Sequence, residues 1–408
     1  MEKCGISKLD LKRRNRMQIL RVIRELGPIS RVDVASELHI TRAAVTIITN
    51  EMIEEGVLVE IGEAPVNIEK LQKGRRKILI GINENYKFAL GVTIEENEVN
   101  IGLSTLNGAV LDKATMPIDD KTITKDIIAY IARQCTEMMA NSCLKRDKIL
   151  GLGIGIVPSM WGRLKIFYKD GVLDFSSFIG KIKNAGVEFE INCGNAIGLL
   201  ALASNDFENY NGYQSNQVFI NYGNQINMAV LNKNVLSDDY MSYTYTVEKM
   251  IVHPNGRKID GYPDGSVKAE LSKVSVMNAF AEVYSKEKTP VLFEQTNGNK
   301  ANISIDAITN AVLRGEEPVV NIVNRVLEGF AVLLNNLACA NFAQRIILNN
   351  IELSDKQLDF FKRGIAKYAS EDIADKIVLS KLDRKCSFQG GCSLIIQNAF
   401  YYRGGMRN

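Results

Sequence analysis

ISRVDVASELHITRAAVTIITNEMIEEGVLVE, residues 29–60, followed by KGRRKILIGIN, residues 73–83, decides how this chain is read. Ser30 stands before the short helical period Arg31–Leu38, His39-Ile40 interrupts it, and Thr41 precedes a further helix running to about Glu55, closed by Gly56. Serine and threonine at such places are N-caps, because their side-chain oxygens accept N–H groups that a first turn leaves unbonded. Glycine closes a helix in the left-handed conformation. Upstream, Leu11–Leu26 carries Ile19, Leu20, Ile23 and Leu26 at helical spacing and stops at Gly27-Pro28. Val34, Leu38, Val45, Ile48, Met52 and Ile53 are the expected small core. Val57–Ile61 and Arg76–Ile82 read as two wing strands joined by a long polar loop. The pattern predicts a winged helix-turn-helix, a module whose partner is double-stranded DNA.

Charge agrees with that partner. Residues 1–80 hold 15 Lys/Arg against 11 Asp/Glu, whereas the other 328 hold 35 against 36, so the basic excess sits in the module that must neutralise phosphate. Thr41, Arg42, Ala43 and Thr46 open the third helix on its outer side and are the expected base-edge contacts, favoured over a plain solvated face. Arg75 and Arg76 at the wing are expected on phosphate or in the minor groove. Ser30, after its capping role, and Arg31 complete the expected DNA-binding set.

At 408 residues the chain exceeds one ordinary core, and 46% hydrophobic with 24% charged residues is a globular composition. No uninterrupted apolar run approaches a membrane span, no secretory h-region opens the chain, and seven cysteines fit reduced thiols. A cytoplasmic protein with no membrane partner is expected. From Tyr86 strands and helices alternate: strands over Tyr86–Ile118 with an Asn107-Gly108 turn, a helix Lys125–Ser142, and a strand Lys148–Val157. A strand entering a helix follows at Val187–Ser204, then a hairpin at Val218–Leu236. Helices over Lys268–Ser285, Ile303–Leu313 and Val319–Asn341 precede a strand at Arg345–Leu348. Such alternation predicts two α/β lobes. The glycines of Gly151-Leu152-Gly153-Ile154-Gly155 lack the G-x-G-x-x-G spacing of a dinucleotide loop, and close strand packing is the expectation for them.

The order of these pieces resembles the ROK family, which unites sugar kinases with sugar-responsive repressors that carry an N-terminal winged helix. The likeness is strongest over NRMQILRVIRELGPISRVDVASELHITRAAVTIITNEMIEEGVLVE and KGRRKILIGIN, with weaker echoes at LGVTIEENEVNIGLSTLNG, GLGIGIVPS, INCGNAIGLLALA and VEKMIVHPNG. It implies an α/β fold class: a winged helix-turn-helix plus a two-lobed, actin-like (ribonuclease H-like, sugar-kinase type) domain around a cleft. The implied domains are a DNA-binding head 1–82, a first lobe 83–200 joined by a C-terminal helix 386–408, and a second lobe 201–385 that carries dimerisation and effector binding. By that resemblance Asn192, Cys193, Asn195, Thr246, Lys249 and Lys268 occupy the sugar-contacting positions.

The departures from the family are specific. Its D-x-G-x-T phosphate pattern falls here on Thr93, Glu95 and Asn97, and Glu95 repels the anion such a loop receives. Its second glycine-rich loop reads Gly223-Asn224-Gln225-Ile226-Asn227-Met228-Ala229, and its catalytic aspartate is replaced by Cys193. The E-x-G-H and C-x-C-G-x-x-G-C zinc motif matches Thr246-Val247-Glu248-Lys249 and Ile259–Ser266, with no ligand at the histidine or the three cysteine positions. Arg257–Ser266 is therefore expected to be held by turn chemistry alone, from Asn255-Gly256, Gly261, Pro263 and Asp264-Gly265, and to open at low free energy. His253 is expected to be a loop residue rather than a ligand. The resulting expectation is a regulator without enzyme activity, cofactor or metal: a homodimeric or homotetrameric repressor with a sugar or sugar-derived effector. The rivals are a sugar kinase with a DNA-binding head and a ligand-independent regulator whose core is a dimerisation or protein-binding scaffold.

Overall fold

A computed structural model describes residues 8–63, 76–208, 215–236 and 247–406. The chain divides into one compact unit of residues 1–213 with 385–408 and another of residues 214–384. The first begins with α1 (Lys8–Leu26), β1 (Ile29–Ser30), α2 (Arg31–Leu38), α3 (Arg42–Glu54), β2 (Leu58–Glu63) and β3 (Ile78–Ile82). Ser30 accepts the Asp33 N–H and Thr41 accepts the Ala44 N–H, so both caps sit where the sequence places them, and His39 makes the α2–α3 turn at φ 53°. The wing is a three-stranded antiparallel sheet ordered β1-β3-β2. Its two-residue β1 ends on the Ser30 cap itself, too short for any period to announce it.

Val34, Val45 and Met52 are fully buried in this head, with Leu38, Ile48 and Ile53 at the rim of the same cluster. The head does not close on itself: Ile19, Leu20 and Ile23 share their core with Phe388, Cys392, Ile395, Ile396 and Phe400 from the chain's end.

The first unit continues with β4 (Phe88–Ile94), β5 (Glu98–Thr105), β6 (Val110–Pro117), α4 (Thr124–Asn141), β7 (Ile149–Ile156) and α5 (Trp161–Leu164). A small hairpin of β8 (Phe167–Lys169) and β9 (Val172–Asp174), then α6 (Ser176–Asn184), β10 (Ile191–Asn195) and α7 (Ala196–Phe207), complete the run. The sheet order is β10-β7-β4-β5-β6, parallel across β10, β7 and β4 and antiparallel from β4 through β6.

The second unit holds β11 (Gln217–Asn221), β12 (Asn227–Asn232), β13 (Val235–Leu236), α8 (Val267–Leu271), α9 (Lys273–Val283), α10 (Pro290–Gln295) and α11 (Ile305–Leu313). It ends with α12 (Glu317–Ala340), β14 (Arg345–Asn349), α13 (Asp355–Tyr368), α14 (Glu371–Asp375) and β15 (Ile377–Leu379). Its order, β13-β12-β11-β14-β15 with β11, β14 and β15 parallel, repeats the first sheet strand for strand. The helix expected over Lys268–Ser285 is two, because Ser272 leaves the helical conformation to end α8 and cap α9. Among the described residues one helix, α12, is long and apolar enough by length and composition to cross a membrane, although no uninterrupted apolar run of that length lies within it. Asn321, Glu328 and Asn336 on its exposed side break the run in sequence, while Phe330, Leu333, Leu334 and Leu337 enter the second unit's core.

The chain returns as α15 (Gln389–Ile396), which winds on as a π-helical turn, Gln397–Tyr401. A Cβ on Gly153 of β7 would stand 1.8 Å from the Gly391 carbonyl oxygen, and one on Gly155 would meet Ala196 at 3.1 Å. The Gly151–Gly155 repeat thus lets α15 and α7 approach the sheet backbone, a packing role in place of a phosphate loop. Beyond the π turn, Gly404 accepts a hydrogen bond from Arg16 Nε at 2.8 Å, and the same buried guanidinium forks onto Glu55 at 2.9 and 2.6 Å. A bidentate charged pair of this kind fixes orientation as well as distance, here between α1, the end of α3 and the C-terminal segment.

Candidate DNA interface and effector residues

On α3, Arg42, Ala43, Thr46, Ile47 and Asn50 are exposed, while Val45, Thr49 and Met52 face inward. Of the expected contacts, Arg42, Ala43 and Thr46 therefore lie on one accessible helix side. Thr41 is exposed but committed to the cap, and Ser30 is buried with its hydroxyl on Asp33 at 2.6 Å. Burial acts to raise the Asp33 pKa, but hydrogen bonds from Lys77 and Ser30 outweigh it and hold the carboxyl below its ordinary range. Arg31 reaches across the module: Nε donates to Thr49 at 3.2 Å, and Nη2 donates to Asn50 at 3.2 Å and Glu60 at 2.9 Å. One guanidinium so ties α2, α3 and the wing strand β2 together, a positioning role the sequence did not reveal. Arg76 is exposed and paired with Glu63 at 2.9 Å, and Lys77 pairs with Asp33 at 2.7 Å. Exposed pairs like these are weak and readily exchanged for a phosphate. Arg75 lies outside the described residues. Ile47 and Asn50 were missed; their offsets of four and seven from Ala43 place them on its helix face.

Among the expected effector residues, Asn192, Cys193 and Asn195 lie together within β10. Asn195 is buried and caps α7 by accepting the Ile197 N–H at 3.0 Å. The Asn192 side-chain oxygen accepts from Asn398 of the π turn at 2.8 Å. Burial pushes the Cys193 thiol pKa up, so this residue makes a poor nucleophile and no general base. Thr246 lies outside the described residues.

In the second unit Lys249 is exposed, but Lys268 is not idle: its Nζ donates to the Asn224 carbonyl at 2.7 Å and to Glu248 at 3.0 Å. Buried Glu248 accepts in addition the Ile226 N–H at 3.0 Å and the Tyr262 hydroxyl at 3.2 Å. A protein carboxylate thus sits on a backbone N–H of the segment that matches the family's glycine-rich phosphate loop.

The segment Arg257–Ser266 corrects the expectation of turn chemistry alone. Buried Glu270 accepts the Arg257 N–H at 2.6 Å and a fork from Arg325 at 2.9 and 2.7 Å. Backbone bonds run from Val252 N–H to Gly265 O and from Gly265 N–H to Arg257 O, and His253 meets the Arg325 carbonyl at 2.9 Å as a buried loop residue. A Cβ on Gly265 would stand 1.6 Å from the His253 carbonyl oxygen, so the two legs of the loop touch backbone to backbone. Burial acts to raise the Glu270 pKa, yet the hydrogen bonds from Arg325 and Arg257 prevail and lower it. The staple went unseen because Glu270 and Arg325 are 55 positions apart. Among the described residues no group of three or more His, Cys, Asp or Glu could hold a metal ion.

Two sheets of one topology, following a winged head in the chain, are the architecture of a two-lobed actin-like α/β fold. No family model matches the chain. The transcriptional dual regulator NagC of Escherichia coli strain K12 is 31% identical over 118 residues, 29% of this chain and 28% of its own length. The xylose repressor of Caldicellulosiruptor bescii is 28% identical over 149 residues, 36% of this chain and 35% of its own. The matched stretches span about a third of these relatives. A ROK family transcriptional regulator, a homolog of the Escherichia coli MLC protein, superposes with a TM-score of 0.68 over 97% of this chain and 98% of its own, at 16% identity. A ROK family glucokinase from Streptomyces griseus, in complex with glucose and AMPPNP, reaches 0.54 over 75% of this chain at 14% identity. The fold is that of the ROK family, and the sequence likeness runs to its repressors.

Proposed function

We propose that this protein is a cytoplasmic, sequence-specific DNA-binding transcriptional regulator, a repressor working as a homodimer or homotetramer. The observation that carries this is α3: a capped helix whose outer side presents Arg42, Ala43 and Thr46 beside a paired wing. Residues 1–82 are the reading head in this proposal, and the chain's likeness to named repressors points the same way. A sugar or related small molecule is the effector, bound at the residues that match the family's sugar contacts.

A route for its effect exists within the first unit. Asn192 bonds Asn398 of the π turn, and that turn ends at Tyr401, over whose ring the Arg24 guanidinium of α1 lies at 4.6 Å. At the far end of α7, Asp206 accepts from Gln397 at 2.9 Å and stands 3.5 Å from Arg24. Both ends of the β10–α7 segment therefore touch the element that holds α1, and an effector that shifts Asn192 acts on the head through it.

Enzyme activity is not part of this reading, although sugar kinases share the fold. Glu248 holds the Ile226 N–H that an incoming phosphate needs, buried Thr93 replaces the metal-side carboxylate, and Cys193 cannot accept a hydroxyl proton at neutral pH. The test is selection of bound sequences from random duplex DNA by the full chain, then titration of the best duplex at several salt concentrations. A selected motif is expected, with a log–log salt slope of about −0.9 per phosphate contacted. Enrichment of no motif would refute the proposal.

A further inference from the structure

The outer side of α3 is poor in hydrogen-bonding groups. The Thr46 hydroxyl donates back to the Arg42 carbonyl at 2.8 Å, and Thr41 is held by the cap. The Asn50 side-chain oxygen accepts from Arg31 at 3.2 Å. Between Arg42 and Asn50 there remains an apolar strip of Ala43 and Ile47, one helical turn apart, with Ile47 61% exposed. A single exposed isoleucine is ordinary on a protein surface. This one stands mid-helix, where a β-branched side chain is a poorer helix former than Lys, Gln or Glu. It also lies in the module that carries the chain's basic excess, on the helix that Arg42 opens.

A strip with little to donate or accept fits one feature of the major-groove edge, the 5-methyl group of thymine, the apolar group displayed there. We infer that Ile47, with Ala43, reads a thymine methyl in each half-site, an inference that rests on the DNA-reading function proposed above. Arg42, one residue before Ala43, then supplies the hydrogen-bonding part of the readout and fits guanine, whose two acceptors match its fork. Specificity so divides between an apolar contact and a charged one on a single helix.

The experiment replaces each thymine of the selected duplex, one at a time, by deoxyuridine, which keeps every hydrogen bond and removes only the methyl. The full-length wild type, Ile47→Ala and Arg42→Ala are titrated against each duplex. At one or two thymines per half-site the wild type is expected to weaken about fourfold, the worth of one buried methyl. Ile47→Ala should bind the thymine and uracil duplexes alike, and Arg42→Ala should keep the wild-type discrimination. Equal wild-type affinity for every uracil duplex, or discrimination retained by Ile47→Ala, overturns the inference and leaves the DNA-reading function standing. Selection of no motif overturns both. Ile47 is mostly solvent-exposed, so its truncation should leave the melting temperature unchanged, and that measurement accompanies each titration.

Discussion

Thr41 caps α3 through the Ala44 N–H, and Asn195 caps α7 through the Ile197 N–H, so two helices of the first unit begin by the same chemistry. Their surroundings then part. Every residue of α7 from Ala196 to Ser204 is buried, against β7 and α15, whereas α3 keeps Arg42, Ala43, Thr46, Ile47 and Asn50 in solvent. The same contrast holds for polar groups. Asn192, Asn195, Lys268 and Glu270 are bonded to other parts of the protein, while Arg42 and Lys249 stand in solvent. A cap fixes where a helix starts; tertiary packing decides whether its side chains remain available to a partner.

The buried side of the comparison breaks most sharply at Gly153. A methyl group there meets the Gly391 carbonyl and forces α15 off the sheet. Gly153→Ala should cost more than about 4 kcal/mol, or prevent folding, since two backbones must move; urea denaturation followed by circular dichroism checks it. An effect below 1 kcal/mol would show that α15 is not seated as described.

Glu270 sharpens the same contrast in the second unit. Glu270→Gln should destabilise it by about 2–3 kcal/mol, because a buried carboxylate with charged partners is lost while its donors stay. Since the folded pKa of Glu270 lies below its ordinary value, its contribution is present above that value and is lost as pH falls through the folded one. Wild-type stability should thus decline more steeply below about pH 4.5 than that of Glu270→Gln. Parallel pH profiles in denaturant melts would contradict the staple.

The two caps themselves should prove alike. Asn195→Ala and Thr41→Ala should each cost about 1 kcal/mol, the usual worth of a capping side chain. Only the second lies beside the proposed DNA surface, so Asn195→Ala should leave DNA affinity unchanged in the absence of effector. A large loss of DNA binding in Asn195→Ala would mean that α7 feeds the head more directly than its contacts indicate.

Local chemistry explains which features were legible. Ser30, Thr41 and Gly56 punctuate helices through bonds to near neighbours, so the head could be read from sequence almost residue by residue. The Gly151–Gly155 packing and the Asn107-Gly108 turn, with Gly108 at φ 86°, were readable for the same reason. Long-range pairs were not. Arg16 meets Gly404 across 388 positions, Asn192 meets Asn398 across 206, and Arg31 reaches Glu60 across 29, and no spacing rule connects them. Two of these pairs, those of Asn192 and Arg31, engage a residue that the sequence offers as a free functional group.

DNA recognition by Arg42→Ala tests the central contrast most directly. The variant's melting temperature should equal that of the wild type, because the Arg42 side chain is in solvent. Competition titration against the selected duplex and its single base-pair variants should show discrimination at one or two base pairs reduced by about 1–3 kcal/mol each. Wild-type discrimination at every position would contradict the assignment of α3 as the DNA-reading surface.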